Sequence, residues 1–287
     1  MKSAFKTVAL IGNYNNLEIR PQILTLAAFL AERQLSICVE EKTAQHLDIH
    51  GYSTVKIDAI GAKADLAVVL GGDGTMLSVA RSLADYPIPL IGINRGRFGF
   101  LTDVSSESML ESMGSILAGE FNTEQRILLC ATILRNGKII SQGFAMNDVV
   151  VNKSGLARLI ELEVNIDGQF VHKQRSDGLI VATPTGTTAY SLSAGGPILH
   201  PTLDAIALVP ICPHTLSNRP IAINSASKVE ITLIQADDAR VHFDGQLQMS
   251  LQPGDKVQVQ RAQKTVLLLH PLGHSHYDML REKLRWG

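Results

Sequence analysis

The chain has no excess of positive charge. Its 26 Lys and Arg are balanced by 27 Asp and Glu, a formal net charge of -1. An extended nucleic-acid footprint needs a basic face, and this balance argues against one. No apolar run approaches the ~20 residues of a membrane span. The first twelve residues hold one short apolar patch, Val8 to Ile11, and then turn polar. That segment reads as a first strand and not as a signal peptide. Cysteine is sparse. Cys38, Cys130 and Cys212 are odd in number and far apart, and no pair has metal-ligand spacing. Two lie in strand-like segments, so buried free thiols in a reducing cytoplasm are expected. Two nucleotide signatures are also missing. No Gly-x-x-x-x-Gly-Lys-Ser/Thr stretch occurs, and no Gly-x-Gly-x-x-Gly follows a strand. These absences argue against a P-loop kinase and an ordinary Rossmann dehydrogenase.

What is present fits a globular chain with full cores. Of 287 residues, 45% are hydrophobic and 18% charged, enough for two domains of ordinary size. Up to about residue 120, strand and helix patterns alternate. Thr7 to Ile11, Ser36 to Val39, Leu66 to Leu70 and Pro89 to Ile93 are strand-like. Ile23, Leu24, Ala27, Leu30 and Ala31 recur at helical spacing behind Pro21, and Ser105 or Ser106 is placed to cap a helix carrying Met109 to Leu117. Such alternation predicts an α/β domain with a mostly parallel sheet. Beyond residue 120 the period is two. Ile160, Leu162, Val164 and Ile166 alternate with polar residues, and Asn136-Gly137, Asp167-Gly168 and Asp244-Gly245 are hairpin dipeptides. An antiparallel β-sandwich is expected there. The predicted division is 1–120 for the α/β domain and 121–276 for the sandwich, with a final helix from 277 to 287 that packs back on the first domain.

The most informative residues are Gly71-Gly72-Asp73-Gly74-Thr75, between the apolar run Leu66–Leu70 and the helical stretch from Met76. A glycine-rich turn from strand into helix brings backbone N–H groups close to phosphate. It also lies at the carboxyl end of a strand, where α/β sheets bind ligands. Asp73 repels phosphate, so metal binding or proton transfer suits it better; a tight turn with a helix-capping Asp is the plainer alternative. A second segment, Asp177 to Pro197, gathers Thr183, Thr185, Thr187, Thr188, Tyr190, Ser191 and Ser193 among glycines. Hydroxyls and exposed amides can hold ribose and phosphate oxygens, and Tyr190 can stack on a base; the alternative is an ordinary polar loop. Asn147-Asp148 closes a strand pattern and either reads an adenine edge and ribose hydroxyls or makes a turn. Arg175 and Asp177 flank the threonine segment as ligand contacts or as a surface ion pair. His270, His274 and His276 either bind metal or form a solvated tail; lacking the acidic or Cys partners of a typical site, they read as the tail.

In order and spacing, Gly71–Thr75, Asn147-Asp148, Arg175-Ser176-Asp177-Gly178 and Thr183–Tyr190 resemble the motifs of NAD kinases, closest to the bacterial ATP-NAD kinases. Ile93 to Thr102 is similar to the family's second loop, and the resemblance covers nearly the whole chain. It implies an α/β domain joined to a C-terminal β-sandwich. The implied activity is transfer of the ATP γ-phosphoryl group to the 2′-hydroxyl of the adenosine ribose of NAD, giving NADP. A divalent cation, usually Mg2+, would accompany ATP. By the same resemblance Asp73 is the general base, and Gly71, Gly72, Gly74 and Thr75 face phosphate. The NAD-binding set it implies is Asp73, Gly74, Asn147, Asp148, Arg158, Arg175, Asp177, Thr188, Ala189, Tyr190, Ser191, Leu192, Ser193 and Gln246. Where the family usually carries Glu, Asp148 keeps the charge on a side chain one methylene shorter. Homodimers or homotetramers in the cytoplasm, with NAD and ATP as small-molecule partners and neither nucleic acid nor membrane, complete the implication. Two other functions share the Gly71–Thr75 turn or the dinucleotide segment: a lipid or sugar-phosphate kinase, and a sensor that binds NAD or NADP without turnover. The residues do not choose between NAD and NADH, or between ATP and polyphosphate.

Overall fold

The computed structural model describes residues 4–13, 16–94, 96, 99–155, 158–215 and 217–286. The chain divides into two units, residues 1–125 with 266–287, and residues 126–265. In the first unit the apolar runs form parallel strands: β1 (Thr7–Gly12), β2 (Ser36–Glu40), β3 (Ser53–Val55), β4 (Leu66–Leu70), β5 (Leu90–Asn94) and the two-residue β6 (Val104–Ser105). Five helices follow or join them: α1 (Arg20–Glu32), α2 (Glu41–His46), α3 (Ile57–Lys63), α4 (Asp73–Leu83) and α5 (Met109–Leu117). The strand order is β3-β2-β1-β4-β5. It reverses between β1 and β4, so the crevice at their carboxyl ends is a ligand position of an open α/β sheet. β4 is buried at all five positions, as expected of a parallel strand covered by helices on both faces. Leu10, Leu66, Val68 and Leu70 of the sheet share a core with Ile23, Leu26 and Leu30 of α1 and Met109, Met113 and Ile116 of α5.

The second unit is antiparallel. Its strands are β7 (Phe121–Arg135), β8 (Lys138–Ala145), β9 (Asp148–Lys153), β10 (Ile160–Ile166), β11 (Gln169–Ser176), β12 (Gly178–Ala182), β13 (Ala205–Ile211), β14 (Ile221–Asn224), β15 (Val229–Gln235), β16 (Ala239–Phe243), β17 (Leu247–Leu251) and β18 (Lys256–Pro271). A 3-10 turn (Thr185–Thr188) and the short helix α6 (Tyr190–Ser193) follow β12, and α7 (His276–Leu284) ends the chain in the first unit. β7 and β18 each cross the division between the units, and the last residues of β18 pair in parallel with β5, Leu268 beside Leu90. One sheet runs β14-β13-β12-β9-β16-β17, and a second includes β11-β10-β15-β18 with the β7–β8 hairpin. Val149, Leu179 and Val241 from the first sheet share a core with Ile160, Leu162, Ile231 and Val257 from the second, which makes this unit a sandwich. β12 has a second apolar neighbourhood on its outer face, where Ile180 and Ala182 meet Val209, Ile211 and Leu199. That explains a strand with no polar alternation inside an antiparallel sheet.

The three hairpin dipeptides hold left-handed backbone at both positions: Asn136 (φ 51) and Gly137 (φ 75), Asp167 (φ 51) and Gly168 (φ 77), Asp244 (φ 50) and Gly245 (φ 65). That is the twist-matched turn these pairs encode. Other expectations differ in detail. The cap of α5 is Ser108, and Ser105 lies in β6, where its hydroxyl accepts from Ser108 N–H. Asn147-Asp148 opens β9 instead of closing a strand, because Asp148 pairs with Ala182 at the start of that ladder. α4 begins at Asp73, so only Gly71 and Gly72 form the turn itself. Cys38 and Cys130 are buried free thiols, with pKa values raised by burial, whereas Cys212 is exposed.

Candidate active site

In the first unit the site is built around Asp73. Gly72 is the residue before α4 and has extended backbone (φ -96, ψ -176), and no side chain caps the helix. None of Gly71, Gly72 and Gly74 needs positive φ. Their value is the missing side chain. A Cβ on Gly72 would meet nothing within 4 Å, which leaves open space above the turn, whereas Gly71 lies under the hydroxyl of Thr75. The first turn of α4 carries the positive end of its helix, a suitable place for phosphate.

The Asp73 carboxylate turns away from capping its own helix. Its Oδ2 accepts from Phe100 N–H at 2.9 Å, and Oδ1 accepts from Leu101 N–H at 3.0 Å and the Thr102 hydroxyl at 3.3 Å. Asn94 donates to the same Thr102 oxygen at 3.2 Å. Three of about four lone-pair positions on the carboxylate are therefore used, and one on Oδ2 stays open for another proton donor. The Ile93–Thr102 segment thus fixes the acid; its residues Arg95, Arg97 and Phe98 lie outside the described residues. Gly99 presses against Asp73 so closely that a Cβ there would overlap Oδ1 and the Thr102 hydroxyl. Gly99→Ala should therefore push the carboxylate aside and lower turnover by ~10²-fold, the scale of a 1 Å misplacement. Steady-state rates at saturating substrate check this, with the melting temperature showing that the variant folds.

In the second unit a left-handed aspartate organises the site. The Asp244 carboxylate accepts from three successive amides, Met146 (3.0 Å), Asn147 (2.7 Å) and Asp148 (3.1 Å). In return Asp244 N–H donates to Asp148 C=O at 3.0 Å. From the other side, the Thr183 hydroxyl donates to Met146 C=O at 2.6 Å, Thr183 N–H donates to Asn147 C=O at 2.9 Å, and Gly186 lies directly on the Asn147 backbone with no room for a Cβ. Asn147, Asp148, Ala189, Tyr190, His242 and the Asp244-Gly245 turn then line a pocket of about 280 Å³ on the outer face of β9 and β16.

Asp148 is only 4% exposed, and its pKa is raised to about 7, first by burial and then by the Asp244 charge. Near neutral pH it is thus partly a neutral acid that can both donate and accept. The sign for stability follows. A carboxyl with a native pKa above its unfolded value of 3.8 holds more protons when folded. Its contribution is full below pH 3.8 and is lost as pH rises through about 7. Asp148→Asn should remove that decline, so the variant should gain a few kcal/mol relative to the parent between pH 4 and pH 8. Urea titrations at several pH values measure it; equal slopes for both proteins would show that Asp148 is not the group.

Burial acts on two neighbours as well. The Tyr190 pKa is raised, by burial first and then by Cys212, Asp177 and Asp148. That of His242 is lowered by burial and then by Arg240. Asn147, Asp148, Ala189 and Tyr190 are brought together in the pocket. Asp177 forms an ion pair with Lys153 at 2.8 Å, and Arg158, Arg175, Ser193 and Gln246 lie exposed at the surface. Leu192 is half-buried, and Ser191 is fully buried with its hydroxyl against Gly196.

The threonine hydroxyls make hydrogen bonds within the unit. Thr183, Thr187 and Thr188 donate to the carbonyls of Met146, Pro184 and Thr185, and the Thr185 hydroxyl accepts from Arg126 at 3.1 Å. They build the loop. Hydroxyls of buried threonines need partners of their own, so the loop presents its backbone and Tyr190 outward instead. Sequence reasoning missed Asp244 and His242 as site residues. The Asp244-Gly245 dipeptide signals a hairpin, and only the tertiary contact with residues 146–148 gives its acid a second task.

One expectation is overturned. His270 and His274 are no solvated tail. His270 is 3% exposed, and both Nδ1 atoms lie 2.8 Å from Asp103 Oδ2. The acidic partner, absent nearby in sequence, comes from the segment that holds Asp73. His270 Nε2 is 3.2 Å from Glu124, within ion-pair reach but off the line of a hydrogen bond. Burial pulls the His270 pKa down, but Asp103 and Glu124 outweigh it and raise it. Burial likewise opposes the two imidazoles at Asp103, and they prevail, holding it at about 2.

The first unit thus holds a glycine turn at a helix N-terminus beside a fixed carboxylate, and the second a sandwich with a polar pocket. Residues 8–121 match the ATP-NAD kinase N-terminal domain and residues 146–270 the ATP-NAD kinase C-terminal domain. The chain is 53% identical to an NAD kinase of Thiobacillus denitrificans over 100% of its own length and 99% of that protein. It is 50% identical to an NAD kinase of Aromatoleum aromaticum over 100% of its length and 96% of that protein. Among solved structures, yeast NADH kinase complexed with NADH superposes with a TM-score of 0.90 at 24% identity, over 98% of this chain and 88% of the other. An NAD kinase from Archaeoglobus fulgidus in complex with ATP gives 0.77 at 24% identity, over 97% and 98%. The chain belongs to the ATP-NAD kinase family.

Proposed function

We infer that this chain phosphorylates NAD, transferring the γ-phosphoryl group of ATP to the 2′-hydroxyl of the adenosine ribose and releasing NADP and ADP. The full-length match to NAD kinases, with both family domains in order, carries this reading. The 2′-oxygen attacks the γ-phosphorus, the bond from that phosphorus to the β,γ-bridging oxygen breaks, and the hydroxyl proton passes to Asp73. Such transfer needs in-line positioning and charge neutralisation more than covalent help. Asp73 suits the base because three hydrogen bonds fix it while one lone pair stays open. Gly71, Gly72, Gly74 and Thr75 offer the helix N-terminus to ATP phosphate oxygens. Mg2+ would come with ATP; it keeps phosphate and water ligands, and this turn supplies a single carboxylate, so the nucleotide does most of the holding.

Asn147 and Asp148 receive the adenosine end. A neutral carboxyl donates to a ring nitrogen and accepts from an exocyclic amino group, the pattern of an adenine edge. Thr188 to Ser193 form the wall beside the nicotinamide half through backbone and the Tyr190 ring, with Arg158, Arg175, Asp177 and Gln246 at the rim. Homodimers or homotetramers in the cytoplasm are part of the same reading. Among the described residues no helix is long and apolar enough to cross a membrane. Incubating the purified protein with NAD, ATP and Mg2+ tests the function. NADP, read by an NADP-specific dehydrogenase, is expected; folded protein that makes none overturns the reading. Exchanging NADH for NAD and polyphosphate for ATP in the same assay sets substrate preference, and sedimentation velocity sets the assembly.

A further inference from the structure

Outside the phosphoryl-transfer site, the first unit carries one cluster of metal-ligating side chains among the described residues, Asp103, His270 and His274. One donor atom from each lies within 4.8 Å of the others. They come from three places: the segment after Thr102, the end of β18, and the loop before α7. The two imidazole rings stack with centroids 4.0 Å apart and aim both Nδ1 atoms at one carboxylate oxygen, 2.8 Å from each. The other oxygen, Asp103 Oδ1, is buried and has no hydrogen-bond partner. Behind His270, Nε2 faces the Glu124 carboxylate at 3.2 Å. A carboxylate behind the remote nitrogen is a common companion of a metal-bound histidine, and Glu124 stands there within ion-pair reach. With a proton on Nδ1 the imidazole donates to Asp103; without one, two acceptors face each other at 2.8 Å and only a cation reconciles them.

We propose that Asp103, His270 and His274 form a binding site for one divalent transition ion of the zinc class, separate from the Mg2+ that accompanies ATP. Two imidazole nitrogens and one carboxylate oxygen suit such an ion, whereas Mg2+ prefers oxygen alone. Tetrahedral ligands with bonds of about 2.0–2.1 Å have donor atoms ~3.3 Å apart, so the cluster opens by about 0.5 Å on binding. The fourth position faces a pocket of about 280 Å³ lined by Asp103, His274, Asp278 and Glu282. Water or one of those two acids on α7 completes the shell. The ion would tie the end of β18 and the start of α7 to the segment that fixes Asp73.

Tag-free protein, stripped with a chelator and titrated with Co2+, tests this without reference to turnover. One equivalent should bind with the visible absorption bands of a four-coordinate ion. Zn2+ should displace it, and millimolar Mg2+ should not. His274→Ala should weaken Co2+ binding by more than ~10²-fold, since second-shell changes alone cost 10–100-fold, and Glu124→Gln should cost about that smaller amount. His274 is half-buried, so its variant keeps the buried His270–Asp103 contact and should fold, which circular dichroism checks. No Co2+ bands from folded parent protein would leave a protonated His270 as the cation and overturn the proposal. So would displacement by Mg2+, or unchanged binding in His274→Ala.

Discussion

Asp73→Asn should lower turnover by ~10²–10⁴-fold, the usual cost of removing a general base, while NAD still binds. The structure adds a second effect. Asparagine offers one acceptor oxygen where aspartate offers two, and its amide nitrogen would face the N–H of Phe100 or Leu101. One of those amides loses its acceptor, a cost of about 1–3 kcal/mol. The variant should therefore melt a few degrees lower as well as turn over slowly. Gly99→Ala separates the two effects, since it disturbs the same segment but keeps the carboxylate. If Asp73→Asn retained near-parental turnover, Asp73 would not take the proton, and the proposed mechanism would need another base.

Asp244→Ala is the second large effect, and it is first a matter of stability. The substitution removes the acceptor for three consecutive N–H groups, at Met146, Asn147 and Asp148. These amides lie at the entrance to β9, and they gain no replacement from alanine. Water can reach part of the segment, which is half-buried at Asn147. A total loss of about 3 kcal/mol follows from the cost of unpaired buried donors. For a domain of this size that is ~6–12 °C in melting temperature. NAD affinity should fall with it, because Asn147 and Asp148 no longer hold their places in the pocket. Asp244→Asn keeps one oxygen and removes the charge that raises Asp148; it should lose less stability and bring the Asp148 pKa down. Differential scanning calorimetry and calorimetric NAD titration read both. An Asp244→Ala protein with parental melting and NAD affinity would reduce Asp244 to an ordinary hairpin residue.

The path from sequence to structure was clear where a local rule operates. The apolar run Leu66–Leu70 is β4 without a residue's error, because a parallel strand covered on both faces has no polar alternation. The three hairpins could be read because Asn-Gly and Asp-Gly tolerate the left-handed backbone that two-residue turns require. Helix α1 follows from its spacing and from Pro21 in its first turn. The short β3 and the helices α2 and α3 were not legible. Three strand residues and helices of six and seven span too few periods to show a pattern. The cap of α5 was misplaced by two or three residues, because Ser105, Ser106 and Ser108 are chemically alike and only the β5–β6 pairing takes Ser105 out of contention.

At the site, sequence alone singled out an acid in a glycine turn between strand and helix, and a threonine-rich segment after a buried strand. Tertiary structure decided what those residues do with their polar atoms. Asp73 could have capped its own helix; the amides of Phe100 and Leu101 claim it instead. Thr183, Thr187 and Thr188 give their hydroxyl protons to the carbonyls of Met146, Pro184 and Thr185. His270 and His274 looked solvated until a carboxylate 167 residues away in sequence from His270 proved to be their neighbour. The physical reason is the same in each case. A side chain's type fixes how many hydrogen bonds it must make once buried, but its partners lie in segments that only folding brings within 3 Å.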